Sequence, residues 1–199
     1  MKLYYAPGAC SLATRICLHE AGISADFESV DLHAHLTESN EDYFTLNRKG
    51  SVPLLLLDDG QSVTENVAIL DLLAELDPKL GVPRPLGRTL LIEMLSFLST
   101  ELHTAFRPFF HDAGEKEKLL ATDAVVRIFG LLSARSEQSY LFGPGFTAAD
   151  AYLFVMLRWA LAFEIPVQPA MIGYFGRVGS RPAVRRSLVE EGLPIPSVH

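Results

Sequence analysis

The sequence holds little cysteine, a single tryptophan and no long apolar run. Two cysteines in 199 residues, Cys10 and Cys17, do not make an extracellular disulfide framework. On one helix they would stand roughly two turns, about 10 Å, apart, beyond disulfide reach. No stretch approaches the roughly 18 apolar residues of a membrane span. The opening Met1-Lys2-Leu3-Tyr4-Tyr5-Ala6-Pro7 lacks a signal peptide's apolar core and reads as a strand. These absences point to a reducing cytoplasm and no membrane partner. A basic cluster is missing too. The net charge is −7, with 4 Lys/Arg against 13 Asp/Glu up to Asp77 and 13 against 11 from Pro78 onward. Nucleic acid is therefore excluded as a partner, and the acidic first part reads as a solvated surface. Repeats and low-complexity tracts are absent. What is abundant is apolar material, 49% of the chain, enough for one domain or two small ones.

The order of elements is legible from periodicity. Lys2–Ala6 reads as a strand ending at Pro7-Gly8, and 10–21 as a helix stopped by Gly22. Residues 26–32 form a second strand, and the polar stretch to Lys49 a loop with one short helix. Residues 52–57 make a buried strand, Asp58-Asp59-Gly60 a hairpin turn before Ser62-Val63-Thr64, and 65–76 a helix. That order, βαβ then α, ββ and α, is thioredoxin-like. Residues 78–87, with three prolines and two glycines, are the best linker. Strand signals then vanish, so 1–77 and 88–199 read as an α/β and an all-helical domain. Leu91, Met94, Leu95, Leu98 and Leu102 share one helix face. A helix is expected over 115–136. Thr147 with Asp150 resembles a capping box ahead of an almost wholly apolar helix, 151–162, expected at the centre of the second domain. Two further helices start near Pro169 and after Arg181-Pro182.

Three places carry candidate chemistry. Cys10 stands where a strand turns into a helix, and free N–H groups with the helix dipole would stabilise a thiolate there. The plain alternative is a buried structural cysteine. The continuation Ser11-Leu12-Ala13 lacks the second cysteine of a redox C-x-x-C pair, which leaves monothiol chemistry with an external thiol. Pro53 heads a buried strand, where it loses a ladder bond. A cis Val52–Pro53 bond would turn the Val52 N–H and C=O toward a bound peptide. Thr64-Glu65-Asn66 opens a helix. It is either a plain start with Thr64 as cap, or a carboxylate, an amide and N–H groups receiving a ligand's ammonium and carboxylate.

Taken together, Tyr4-Tyr5-x-Pro7-Gly8-Ala9-Cys10-Ser11-Leu12, Asn47-x-Lys49-Gly50-x-Val52-Pro53 and Thr64-Glu65-Asn66-Val67-Ala68-Ile69 resemble bacterial beta-class glutathione S-transferases. So do Thr100-Glu101-Leu102-His103, Phe146-Thr147-x-Ala149-Asp150-Ala151-Tyr152, Leu157-Arg158-Trp159 and Glu191-Gly192-Leu193, and the likeness spans nearly the whole chain. The resemblance implies glutathione as co-substrate, no metal, a small hydrophobic electrophile and a homodimer. It implies Cys10 and His103 as catalytic, with Cys10 beside the glutathione sulfur and able to form a mixed disulfide. It implies Val52 and Pro53 on the peptide backbone, and Glu65 and Asn66 on the γ-glutamyl end. Thr147 and Asp150 would serve folding, and Trp159 either the core or the cavity between domains.

Three departures stand out. A lysine usual near position 35, which holds the glycine carboxylate, is replaced by His33-Ala34-His35, so His35 is the candidate substitute and Lys49 the alternative. An asparagine one turn before the histidine is replaced by Ser99 or Ser96. Arg48 replaces a proline. The leading function is conjugation of reduced glutathione to apolar electrophiles. The alternatives are glutathione-dependent thiol transfer through Cys10 and a non-catalytic ligand- or protein-binding role.

Overall fold

In the computed structural model, which describes residues 1–136 and 138–196, β1 (Lys2–Tyr5) lies mid-sheet. It pairs in parallel with β2 (Asp26–Asp31), Leu3 opposite Phe27, and antiparallel with β4 (Leu54–Leu56), Leu3 opposite Leu55. β3 (Leu36–Thr37) flanks β2, and β5 (Ser62–Thr64) flanks β4, giving the order β3-β2-β1-β4-β5. Helix α1 (Ser11–Glu20) is the crossover between the parallel strands and packs against α3 (Asn66–Leu76). Alternation along β1 divides two cores. Leu3 and Tyr5 join the main core, while Tyr4 meets Tyr43 of α2 (Tyr43–Leu46), Val30 and Leu54 on the other face.

This is the expected thioredoxin-like sheet, followed by helices α4 (Gly87–Phe97), α5 (Arg107–Phe110), α6 (Glu115–Ser136), α7 (Ala148–Ala162), α8 (Pro169–Gly179) and α9 (Pro182–Glu190). The segment between the two parts is a 3₁₀ turn over Pro78–Leu80, with the Asp77 carboxylate accepting from Lys79 N–H. Gly87 is demanded by close approach: a Cβ there would fall 1.9 Å from the Val82 carbonyl oxygen.

Helix α7 is the centre. Its residues from Ala148 to Leu157 are at most 1% exposed, and α1, α3, α4 and α8 pack on it. The Asp150 carboxylate organises its start. It accepts from Thr147 N–H at 2.8 Å, as the capping box requires, and also from the Thr147 hydroxyl at 2.6 Å, Leu141 N–H and the Tyr174 hydroxyl.

Several details differ from the sequence reading. Strand β3 and helix α5 escaped notice because two- and four-residue elements show no period. Helix α3 begins one residue later than read, with Glu65, not Thr64, at the cap and in a left-handed conformation of φ 71°. The apolar face from Leu91 to Leu102 is buried throughout, but its second half, Leu98–His103, is wound as a π-helix. Apolar spacing reports the face and not the winding. π segments are rare and gather at functional sites.

Candidate active site

The turn from β1 into α1 is built by short local bonds. Ala9 N–H donates to the Ala6 carbonyl at 3.0 Å, and the Ser11 hydroxyl lies within hydrogen-bond reach of both polar groups of Ala6. Cys10 thereby stands at the mouth of α1, half-buried, with its thiol donating to the Val52 carbonyl at 3.5 Å. The Val52–Pro53 bond is cis, as expected. The loop before it is pinned by a single acceptor. The Ser51 carbonyl receives the Tyr43 hydroxyl at 3.0 Å and the Asn47 amide at 2.7 Å.

The electrostatics of Cys10 differ from the sequence expectation. Burial pushes its thiol up to about 12, and Glu65 adds to the rise, while the N–H groups of Cys10 and Ser11 pull the other way. The two donors expected from a helix start are present. Desolvation of the charged form outweighs them. Cys17 is fully buried, and its thiol is also pushed well above its ordinary value.

Tyr152 of α7 links the thiol to the π segment. His103 Nδ1 and the Tyr152 hydroxyl are 2.7 Å apart. Burial lowers the histidine pKa, so the ring is neutral at pH 7. Burial raises the Tyr152 phenol, with Cys10 adding to the rise and Ser99 and Asn66 opposing it. Tyr152 is thus the common neighbour of four residues singled out in the sequence: Cys10, Ser99, Asn66 and His103. Its sequence motif assigns it no role. A phenol on an otherwise apolar buried helix needs a polar partner, and that was the available signal.

The remaining candidates lie around this group. Asn66 is buried. Its Oδ1 accepts from the Thr14 hydroxyl at 3.0 Å, while Nδ2 has no partner of normal geometry among the described residues, although it is near enough to the phenol to bear on it. Glu65 is exposed and accepts from Lys49 Nζ at 2.6 Å, and the same ammonium donates to the Thr64 hydroxyl at 2.9 Å. Lys49 is therefore engaged at the start of α3, beside Thr64 and Glu65. His35, itself left-handed at φ 53°, packs on Phe44 at 4.3 Å and against Gly50, with Nδ1 buried. Trp159 joins core and site, since its Nε1–H donates to the Gly8 carbonyl at 2.8 Å. Its ring meets His103 at 4.9 Å and Phe110 at 5.0 Å, and Phe110 in turn meets Phe163 at 5.3 Å. Phe110 is 49% exposed, so this aromatic wall is open to solvent beside the histidine.

A thiol, a peptide carbonyl, a neutral imidazole and an aromatic wall are thus linked in one chain of neighbours through Tyr152 and Trp159. Family models described as "Glutathione S-transferase, N-terminal domain" and "Glutathione S-transferase, C-terminal domain" match residues 8–76 and 97–182. The chain is 40% identical to glutathione S-transferase GstA of Escherichia coli O157:H7, over 97% of this chain and all of that one. The chain belongs to the glutathione S-transferase family. Among solved structures, this transferase is similar to the bacterial beta-class enzyme of Sphingomonas chungbukensis, at TM-score 0.89 and 41% identity, covering 98% of this chain and 100% of that one. It is also similar to a sphingomonad glutathione S-transferase complexed with glutathione, at TM-score 0.90 and 38% identity, covering 98% and 100%. The expected beta-class likeness therefore holds over the transferase's whole fold.

Proposed function

We propose that the protein binds reduced glutathione along Val52 and the start of α3, and conjugates it to a small apolar electrophile held against the aromatic wall. The approach of the Cys10 thiol to the Val52 carbonyl, with Tyr152 close enough to feel the same thiol while it pairs with His103, carries this reading. The peptide would add to the Val52 backbone as an extra strand does. Glu65 would take the γ-glutamyl ammonium in competition with Lys49, and the orphan Asn66 amide would gain a partner. His35 and Ser99 would border the glycine end and the sulfur.

The chemistry follows from the proton positions. A thiol pushed up to about 12 keeps its proton at neutral pH, so Cys10 donates to a glutathione thiolate without competing with it as nucleophile. The Cys10 and Ser11 N–H groups aim at the same place. In the tautomer that gives its Nδ1 proton to Tyr152, neutral His103 has Nε2 free to accept the proton of the incoming thiol. Fixing the thiolate among prearranged donors lowers the barrier without a metal. Cytoplasmic residence and a homodimer belong to the same proposal. Apolar side chains left exposed on α4 and α6, Ile92 and Leu131 among them, support pairing. Among the described residues no helix is long and apolar enough to cross a membrane.

Conjugation of glutathione to a chlorodinitrobenzene tests the proposal by absorbance. The rate should exceed buffer by at least about tenfold, and His103→Gln should lower kcat about tenfold or more with little change in KM for glutathione. A rate no faster than buffer at millimolar glutathione would refute the conjugating activity.

A further inference from the structure

From its far end, the chain returns to the turn that carries Cys10. Glu191, which closes α9, has no exposed side-chain surface. Its Oε2 accepts from Gly8 N–H at 2.9 Å, and its Oε1 accepts from Arg15 Nε at 3.0 Å. The Gly8 carbonyl is taken by Trp159 of α7. Both polar groups of Gly8 are thus held by side chains remote in sequence. Gly8 itself lies at φ +72°, and a Cβ there would meet Leu193 and Arg158 side chains at 3.5 and 3.7 Å, ordinary contact. Glycine is present for its backbone freedom.

Pairing with Arg15 alone does not account for this carboxylate. Arg15 is 2% exposed, lies over Phe27 at 3.9 Å and Tyr5 at 4.2 Å, and already donates from Nη1 to Glu190 at 2.9 Å. Burying a second carboxylate beside it is opposed by desolvation of its charge. The polar contact that Glu191 adds beyond the Arg15 pair is the one to Gly8, two residues before Cys10.

We propose that Glu191 is a positioning residue: by fixing the Gly8 peptide it aligns the Cys10 and Ser11 N–H groups on the sulfur site. The catalytic meaning of that alignment rests on the function proposed above; the alignment itself does not.

The groups facing Glu191 give the clasp a pH dependence. They are Arg15 from α1, Arg158 from α7 and the Gly8 N–H; Glu190 shares Arg15 with it and in turn pairs with His19 and Arg186. Burial pushes the carboxyl up to about 7, against the pull of Gly8, Arg15 and Arg158. Below that pH one oxygen carries a proton and faces a donor, so two donors no longer have two full acceptors. The cationic Arg15 keeps the better one, and the Gly8 bond weakens.

Amide exchange in the intact wild-type protein tests this directly. Protection of the Gly8 N–H, relative to its intrinsic rate, should rise at least about fivefold from pH 6 to pH 8.5, roughly the worth of one hydrogen bond. Unchanged protection overturns the proposal. In the ligand-free Glu191→Gln variant, alkylation of Cys10 by iodoacetamide should match wild type within about twofold at pH 6 and fall about fivefold below it at pH 8.5. A ratio independent of pH would mean a general structural role and would also overturn the proposal. Neither measurement uses glutathione, so failure to bind it would remove the proposed function and leave this inference standing.

Discussion

Oxidised glutathione is expected to add one glutathionyl group to the chain, on Cys10, and none to the Cys10→Ser variant. The step is attack of the Cys10 thiolate on the ligand disulfide, forming a mixed disulfide and releasing one reduced glutathione as its thiolate. Cys17 is fully buried within the core and should remain unmodified. The rate carries the more specific test. With the thiol pushed up to about 12, the thiolate fraction rises tenfold with each pH unit across the neutral and mildly alkaline range. The logarithm of the adduct rate should therefore climb with unit slope through pH 9 and show no plateau. Intact-mass spectrometry follows both. A plateau below pH 8 would mean that the N–H donors outweigh burial after all, and an adduct surviving in Cys10→Ser would place the reactive thiol elsewhere. Conjugation uses the ligand's own sulfur, so Cys10→Ser should reduce it far less than it reduces thiol transfer. That contrast separates the two enzymatic readings.

The largest effect on stability is expected at Asp150. Its carboxylate accepts from two backbone N–H groups, Leu141 and Thr147, and from two hydroxyls, Thr147 and Tyr174, with no exposed surface. Asp150→Ala leaves four buried donors without their acceptor and opens a cavity at the start of the central helix. The loss should be about 3–5 kcal/mol, the range for breaking a buried charged network. Against a typical total of roughly 5–15 kcal/mol, such a variant sits near the limit of folding. Urea denaturation followed by circular dichroism measures it. Destabilisation below about 1 kcal/mol would show that the pocket rehydrates and that the carboxylate is dispensable. Asp150→Asn should fall between, since an amide accepts through one oxygen only.

The fold and the turns that carry the candidate site residues are legible in the sequence because each announces itself locally. Pro7-Gly8 before Cys10, Val52-Pro53 at a strand head and Thr147-x-x-Asp150 before an apolar helix are short-range signals with short-range causes. The parts that escape notice depend on distance. Glu65 pairs with Lys49 across the α3 mouth, and Tyr152 meets His103 across 49 positions of chain. Glu191 reaches Gly8 across 183. None of these leaves a period or a spacing. The charge state of Cys10 failed for a related reason. A helix start can be read from a sequence, but the degree to which surrounding groups strip water from the sulfur cannot. The π winding at Leu98–His103 is a third kind of miss, since its apolar face is the same one an α-helix would bury.

Glutathione binding is the central claim, and isothermal titration calorimetry at pH 7 tests it most directly. One site per chain is expected, with Kd between micromolar and millimolar, on the weak side because Lys49 already occupies Glu65. An analogue lacking the γ-glutamyl ammonium should bind more weakly still. Absence of heat, together with no rise in Tm at about 10 mM glutathione, would contradict the account, because a ligand that binds the native state in excess of its Kd must stabilise it.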